Sequence, residues 1–231
     1  MKIKEKLAGK YQETGACTLA FLGDSVTHGA FESDPEKMHA VFDFDSVYHS
    51  VLRKKLNERY PSMPINIINA GIGGDTAAAA VKRMERDVLA HRPDFAVVCF
   101  GLNDVGGEYK DYIQGLTQIF TKLLENNIEC VFMTPHMLNT YVADNTPERL
   151  REYAAATAGY QNSGKVDEYI NGAVRTLSEM GIRICDCYKI WKQAAQNGQD
   201  TTAWLCNGIN HPSREMHKLF AEELFKTIME D

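Results

Sequence analysis

Five short runs of apolar, partly β-branched residues punctuate the chain: TLAFLG at 18–23, INIINAG at 65–71, FAVVCFG at 95–101, IECVFMT at 128–134 and IRICD at 182–186. Runs of this length without polar alternation read as strands buried on both faces. The longer stretches between them carry apolar residues at helical spacing instead. Tyr48, Val51, Leu52 and Leu56 form one such face, and Ile113, Leu116, Ile119, Phe120 and Leu123 another. Strands alternating with helices predict a parallel sheet covered by helices. The last segment, HPSREMHKLFAEELFKTIMED, repeats apolar residues at Met216, Phe220, Leu224 and Ile228, which predicts a helix packed on that sheet with Pro212 in its first turn. No internal repeat and no Pro/Gly-rich linker divides the chain. The pattern therefore predicts one doubly wound α/β domain over residues 1–231, built on a mainly parallel five-stranded sheet.

One region breaks the alternation. Residues 135–165 are longer than an ordinary connection and follow the C-terminal end of a strand, where loops of open α/β sheets border the ligand crevice. Two readings stand side by side: a pocket wall or partial lid, to which His136 and Tyr141 could bring substrate contacts, or an excursion whose helix, around Glu148 to Ala158, covers the sheet edge.

Composition narrows the class. A chain of 231 residues with 44% hydrophobic residues can bury a substantial core. The net charge of −6 and the lack of a Lys/Arg-rich patch argue against nucleic acid or an anionic membrane as partner, because such binding neutralises phosphates with basic side chains. The charged opening MKIKEKLAGKYQETGAC lacks the apolar stretch of a secretory signal, and no later segment is apolar over a bilayer's width, so the expected location is the cytoplasm. Of six cysteines, Cys17, Cys99 and Cys130 lie in or beside the strand-like runs and read as core thiols. Cys185 and Cys187 are two apart, and no second pair stands at zinc-site spacing.

The candidate chemistry gathers where three strands end. Parallel strands deliver their C-terminal residues to one rim, and here these are Gly23-Asp24-Ser25, the run NAGIGGDT and the run GLND. Ser25 on a strand-to-helix turn can expose its hydroxyl as a nucleophile and aim its own N–H at a developing oxyanion. Gly74 offers an N–H that a bound ester can approach closely, since no Cβ blocks it. Asn103 adds a side-chain amide donor. A serine also needs a base, and His211, in the polar loop NGINHPSRE before the final helix, is the strongest candidate.

In order along the chain, GDSVTHG, NAGIGGDT, GLND and NGINHP resemble the blocks of the SGNH/GDSL hydrolase family of esterases and lipases. The resemblance implies a three-layer, flavodoxin-like α/β fold, and it makes Ser25 the nucleophile, Ser25, Gly74 and Asn103 the oxyanion hole and His211 the base. Neither metal nor cofactor is called for. One position departs from the family pattern: where the family usually has an aspartate, three residues before the histidine, this chain has Gly208, preceded by Asn207. An amide oxygen can accept an imidazole N–H but supplies no negative charge to favour the imidazolium. Asn207, a main-chain carbonyl or an acid from elsewhere are the possible orienting groups, and the expectation is a Ser-His dyad with a neutral partner.

Competing readings are weaker. Ser25 as a mere turn or helix-capping serine leaves Gly74, Asn103 and His211 unexplained. GIGGDT as a phosphate cradle lacks a third glycine at position 76, which is Thr76, and lacks a following lysine. Asp24, Asp75 and Asp104 at the strand ends could suggest Mg²⁺, but aspartates in such loops more plausibly accept hydrogen bonds from backbone N–H groups. His28 is either a pocket residue or a structural one, and the other histidines, His39 among them, show no ligand spacing. Two functions from different classes follow. One is a serine esterase acting on a small-molecule ester, with an acetyl group on a carbohydrate as the first expectation. The other is a non-catalytic binding module on the same scaffold. The oligomeric state is not readable from the sequence.

Overall fold

A computed structural model of the chain describes residues 2–34 and 40–230, so His39 lies outside the described residues. Seven strands occur among them: β1 Cys17–Gly23, β2 Ala30–Ser33, β3 Ala40–Phe42, β4 Ile65–Gly71, β5 Phe95–Cys99, β6 Glu129–Met133 and β7 Arg183–Cys185. The central sheet has the order β4-β1-β5-β6-β7 and all its pairings are parallel. Its interior strands carry the residues that periodicity marks as buried on both faces: Phe95 to Val98 and Val131 to Met133 are all inaccessible to solvent. Each predicted strand is present: the run 65–71 keeps its bounds, the run 18–23 gains Cys17, and the other three end one or two residues short of the apolar run.

The strand order places the functional rim. From β1 the chain crosses to β4 on one side and then returns to β5 on the other, so β1 is the point at which the winding reverses. Right-handed crossovers in opposite directions put their helices on opposite faces. Helix Tyr48–Arg59 follows β1 and packs with the final helix Arg214–Met229, while Ala77–Asp87, Tyr109–Glu125 and Lys165–Glu179 pack in series with one another. At the reversal two neighbouring loops diverge to opposite faces and leave a crevice at the carboxyl ends of the strands. The register makes that crevice level, because Gly23 of β1 lies beside Gly71 of β4 and beside Cys99 of β5.

Tight packing at this rim requires glycine. A Cβ at Gly71 would run into the backbone of Thr27 and His28, and one at Gly23 would strike the Thr27 hydroxyl. The short helix Ser25–His28 therefore sits directly on the strand ends.

Three features differ from the sequence reading. The antiparallel pair β2–β3 was not anticipated, since its residues 30–42 mix apolar and charged side chains without clean alternation. Pro212 is not in the first turn of the last helix: it forms an isolated antiparallel bridge with Leu205, and the helix begins at Arg214 after Ser213. The ring locks its φ in a range that suits an extended bridge as well as a helix start. Residues 148–162 divide into a 3-10 turn, Glu148–Leu150, and a helix, Arg151–Asn162. Within the described residues all six cysteines are free thiols, with Cys185 Sγ and Cys187 Sγ 3.9 Å apart. No described helix is long and apolar enough to cross a membrane.

Candidate active site

The site begins at the end of β1. Asp24 caps the helix Ser25–His28, its Oδ1 accepting the Val26 N–H at 2.9 Å, which fixes Ser25 as the first helical residue with its amide in the turn that has no intrahelical acceptor. The Ser25 hydroxyl lies 3.0 Å from His211 Nε2. On the far side of the ring, His211 Nδ1 lies 2.7 Å from the main-chain oxygen of Phe31, in β2. A carbonyl oxygen only accepts, so Nδ1 carries the ring proton and Nε2 is left with a lone pair facing Ser25 Oγ. Burial pushes the His211 pKa below its ordinary value, while the Phe31 carbonyl and the nearby Glu32 charge act in the opposite direction.

Asn207, a candidate for orienting the imidazole, does not reach the ring. Its Oδ1 instead accepts the backbone N–H groups of Ile209, Asn210 and His211 at 3.0, 2.9 and 2.9 Å, which closes the loop that carries the histidine. Gly208 lies in the left-handed region at φ +65°, where an aspartate would be strained. The loop is tied from behind by His136 Nε2–H, which donates to the Asn210 carbonyl at 3.0 Å. β2 is anchored in turn by Arg214, whose guanidinium pairs with Glu32 and Asp43 and lies 4.4 Å above the Phe31 ring. No carboxylate among the described residues is hydrogen-bonded to the His211 ring.

The other two strand ends face Ser25. Gly74 has φ +75° and nothing within 4 Å of the position a Cβ would take, and it lines the same cavity as Ser25. Gly73 is closer still, since a Cβ there would lie 4.0 Å from that of Ser25. Asn103 donates one Nδ2 hydrogen to the Asp75 carbonyl at 2.9 Å, and a longer contact of 3.5 Å runs to Asp24 Oδ2. That anchor holds the amide beside the Gly73–Gly74 loop.

The aspartates of the rim have separate structural partners. Asp24 caps its helix; Asp104 Oδ1 accepts the Ala77 N–H at 2.9 Å and so caps the helix Ala77–Asp87; Asp75 pairs with Arg83. Arg83 also donates to the carbonyls of Ala70 and Gly23, at 2.8 and 3.2 Å, clamping the ends of β4 and β1 together. Asp24 is only 2% exposed. Burial raises its pKa to about 7, and raises that of Asp104 to about 6, with the neighbouring carboxylates adding to both effects.

Ser25, His211, Gly74, Asn103 and Asn207 all line one cavity of about 500 Å³. A larger groove of about 690 Å³, bordered by Lys2, Glu129 and Arg183, brings together neither a serine nor a histidine. The segment 135–165 supplies a wall to the first cavity through Arg149, Leu150 and Tyr153. Neither His136 nor Tyr141 reaches it: His136 is buried behind the histidine loop, and the exposed Tyr141 donates its hydroxyl to Asp200 at 2.6 Å. His28 packs against Phe42, their ring centres 4.6 Å apart, and does not line the cavity. Sequence reasoning missed Phe31, Phe42 and Tyr153 as site residues. A main-chain acceptor leaves no mark on residue type, and aromatic residues are as common in cores as in pockets.

Residues 21–219 match the GDSL-like Lipase/Acylhydrolase family. The chain belongs to that family. Membership places it among ester-hydrolysing enzymes. A stretch of 91 residues is 33% identical to an acetylxylan esterase of Geobacillus stearothermophilus and covers 39% of this chain and 41% of that relative. Among solved structures, an acetyl xylan esterase superposes with a TM-score of 0.68 at 20% identity, covering 90% of this chain and 98% of the other. A catalytic mutant of an acetylxylan esterase from Geobacillus stearothermophilus superposes with a TM-score of 0.67, also at 20% identity, over 93% and 94% of the two chains. A two-domain esterase active on acetylated mannans matches at TM-score 0.66 and 20% identity over 99% of this chain but 52% of its own. At this identity the structural likeness speaks for the fold, and the family member described here shares its parallel, doubly wound sheet.

Proposed function

We propose that the protein is a serine esterase that removes a short acyl group, foremost acetyl, from a carbohydrate or a similar small alcohol, with the whole chain acting as one catalytic domain. The single observation that carries this reading is the 3.0 Å contact between Ser25 Oγ and His211 Nε2 on the wall of an open cavity. In the proposed reaction Ser25 Oγ attacks the ester carbonyl and passes its proton to Nε2. The N–H groups of Ser25 and Gly74 receive the oxyanion, joined by the Asn103 Nδ2 hydrogen that otherwise makes only the long 3.5 Å contact with Asp24 Oδ2. Such donors are each worth about a hundredfold or more in rate, because they are already in place when the charge develops. His211 then protonates the leaving alcohol, and water enters by the reverse sequence to release the acid.

The Phe31 carbonyl takes over part of what a carboxylate does in a triad. It selects the Nδ1–H tautomer and holds the ring plane, and its dipole favours the imidazolium without contributing a full charge. The acetylxylan esterase relatives support acetyl as the acyl group. The test is hydrolysis of 4-nitrophenyl acetate by wild type and Ser25→Ala. The reading expects the variant to lose at least about a thousandfold in kcat, in line with the loss of a nucleophile in other serine hydrolases. Equal rates would leave a binding module as the surviving description.

A further inference from the structure

The direction of proton transfer fixes where the two halves of an ester must lie, and this inference rests on the esterase reading above. When the tetrahedral intermediate collapses, the bond from the acyl carbon to Ser25 Oγ remains and the bond to the alcohol oxygen breaks. The proton taken from Ser25 moves from His211 Nε2 to that departing oxygen, so the alcohol must sit on the His211 side of the nucleophile. The carbonyl oxygen points the other way, toward Gly74 and Asn103.

The residues adjoining His211 in the cavity form a connected polar rail. Asn207 Nδ2 donates to Asn210 Oδ1 at 2.9 Å, and Asn210 Nδ2 donates to the Tyr153 hydroxyl at 3.2 Å. Asn207 is committed to its own loop through three backbone N–H groups. Asn210 and Tyr153 are not: after these bonds Asn210 retains a second Nδ2 hydrogen, and Tyr153, which accepts at its oxygen, retains its own O–H to donate. Both side chains line the cavity. Two aromatic residues lining this cavity are exposed, Tyr153 at 44% and Phe42 at 41%. Unspent donors and acceptors next to exposed aromatic faces suit a molecule with hydroxyls around its edge and C–H bonds on its face.

We infer that Asn210, Tyr153 and Phe42 form the alcohol subsite and select a polyhydroxylated ring, a pyranoside, as the leaving group. Asn210 and Tyr153 bond the hydroxyls flanking the ester, and Phe42 packs on a sugar face. The rail also ties this selectivity to the base, because Asn210 is the chain neighbour of His211.

The test uses the full chain and two acetyl esters: monoacetylated methyl β-xylopyranoside and 4-nitrophenyl acetate, whose alcohol is flat and has no further hydroxyl. Tyr153→Phe keeps the ring and removes only the hydroxyl, with far-UV circular dichroism and thermal melting as the check on folding. The ratio of kcat/KM for the sugar ester to that for the aryl ester is expected to fall about threefold to tenfold, the usual effect of one lost hydrogen bond between neutral groups. Phe42→Ala, the second variant, is expected to lower the same ratio. A ratio unchanged in Tyr153→Phe, or wild type that cleaves the aryl ester and not the sugar ester, overturns the subsite while leaving the esterase intact. Wild type that cleaves neither ester overturns the esterase reading and takes the subsite with it.

Discussion

Asp24 sits between the nucleophile and the sheet, and its environment makes a measurable demand on stability. Its carboxyl is 2% exposed and accepts one backbone N–H at 2.9 Å, so burial dominates and moves its pKa from 3.8 to about 7. The folded protein thus holds a proton on Asp24 over a range in which the unfolded chain has released it. Stability from this group is fully present below the unfolded pKa and is lost as pH rises through about 7. A displacement of about three pH units corresponds to about 4 kcal/mol in all, of which more than half falls between pH 5 and 8. Asp24→Asn keeps the Oδ1 acceptor for Val26 and removes the ionisation. The buried histidines act in the opposite sense: His49 is lowered to about 4 and His136 to about 3 by burial, so their contribution is lost as pH falls. They are common to both proteins and cancel in the difference. Urea unfolding of wild type and Asp24→Asn, followed by the fluorescence of Trp191 and Trp204, gives the free energy at pH 5 and at pH 8. Wild type is expected to lose about 3 kcal/mol relative to the variant over that range. A difference that stays constant within about 0.5 kcal/mol would refute a neutral, buried Asp24.

Two further outcomes follow from the same geometry. The pH profile of kcat/KM on 4-nitrophenyl acetate reports the proposed base: burial lowers the His211 pKa, so at pH 6.5 the rate is expected to exceed half its plateau, and Glu32→Gln, which removes a charge that raises this pKa, to move the acid limb lower; an inflection above pH 7 would contradict the buried, carboxylate-free histidine. Arg83→Met leaves Asp75 buried without its partner and releases the carbonyls of Ala70 and Gly23, so urea unfolding at neutral pH is expected to show a loss of about 3–5 kcal/mol, and a loss under about 1 kcal/mol would mean that the clamp is not holding the rim.

Chain-local physics accounts for much of this molecule. Segments such as 95–101 and 128–134 are too apolar to face water on either side and too short to be buried helices of ordinary length, so they become interior strands of a parallel sheet. Parallel strands, once formed, bring GDSVTHG, NAGIGGDT and GLND to one rim whatever the details of their loops, which is why Ser25, Gly74 and Asn103 could be named together from sequence. The final helix followed from its spacing, but its start did not. Pro212 satisfies both a first helical turn and an extended bridge, and pairing with Leu205 decides between them.

What only the tertiary structure decided is how His211 is held. The sequence poses the question by placing Gly208 where an acid is usual, and it leaves Asn207, a main-chain carbonyl and a distant acid all open as answers. The partner is the Phe31 carbonyl, contributed from 180 positions away by a strand pair that periodicity did not reveal. Every residue has such a carbonyl, so residue type could not single it out; only the packing of β2 beneath the histidine loop, fixed by Arg214 on Glu32, Asp43 and Phe31, does so. The cavity wall at Tyr153 is of the same kind. Side-chain chemistry and its period are written along the chain, whereas backbone groups acquire distinct roles only through the neighbours that the fold brings to them.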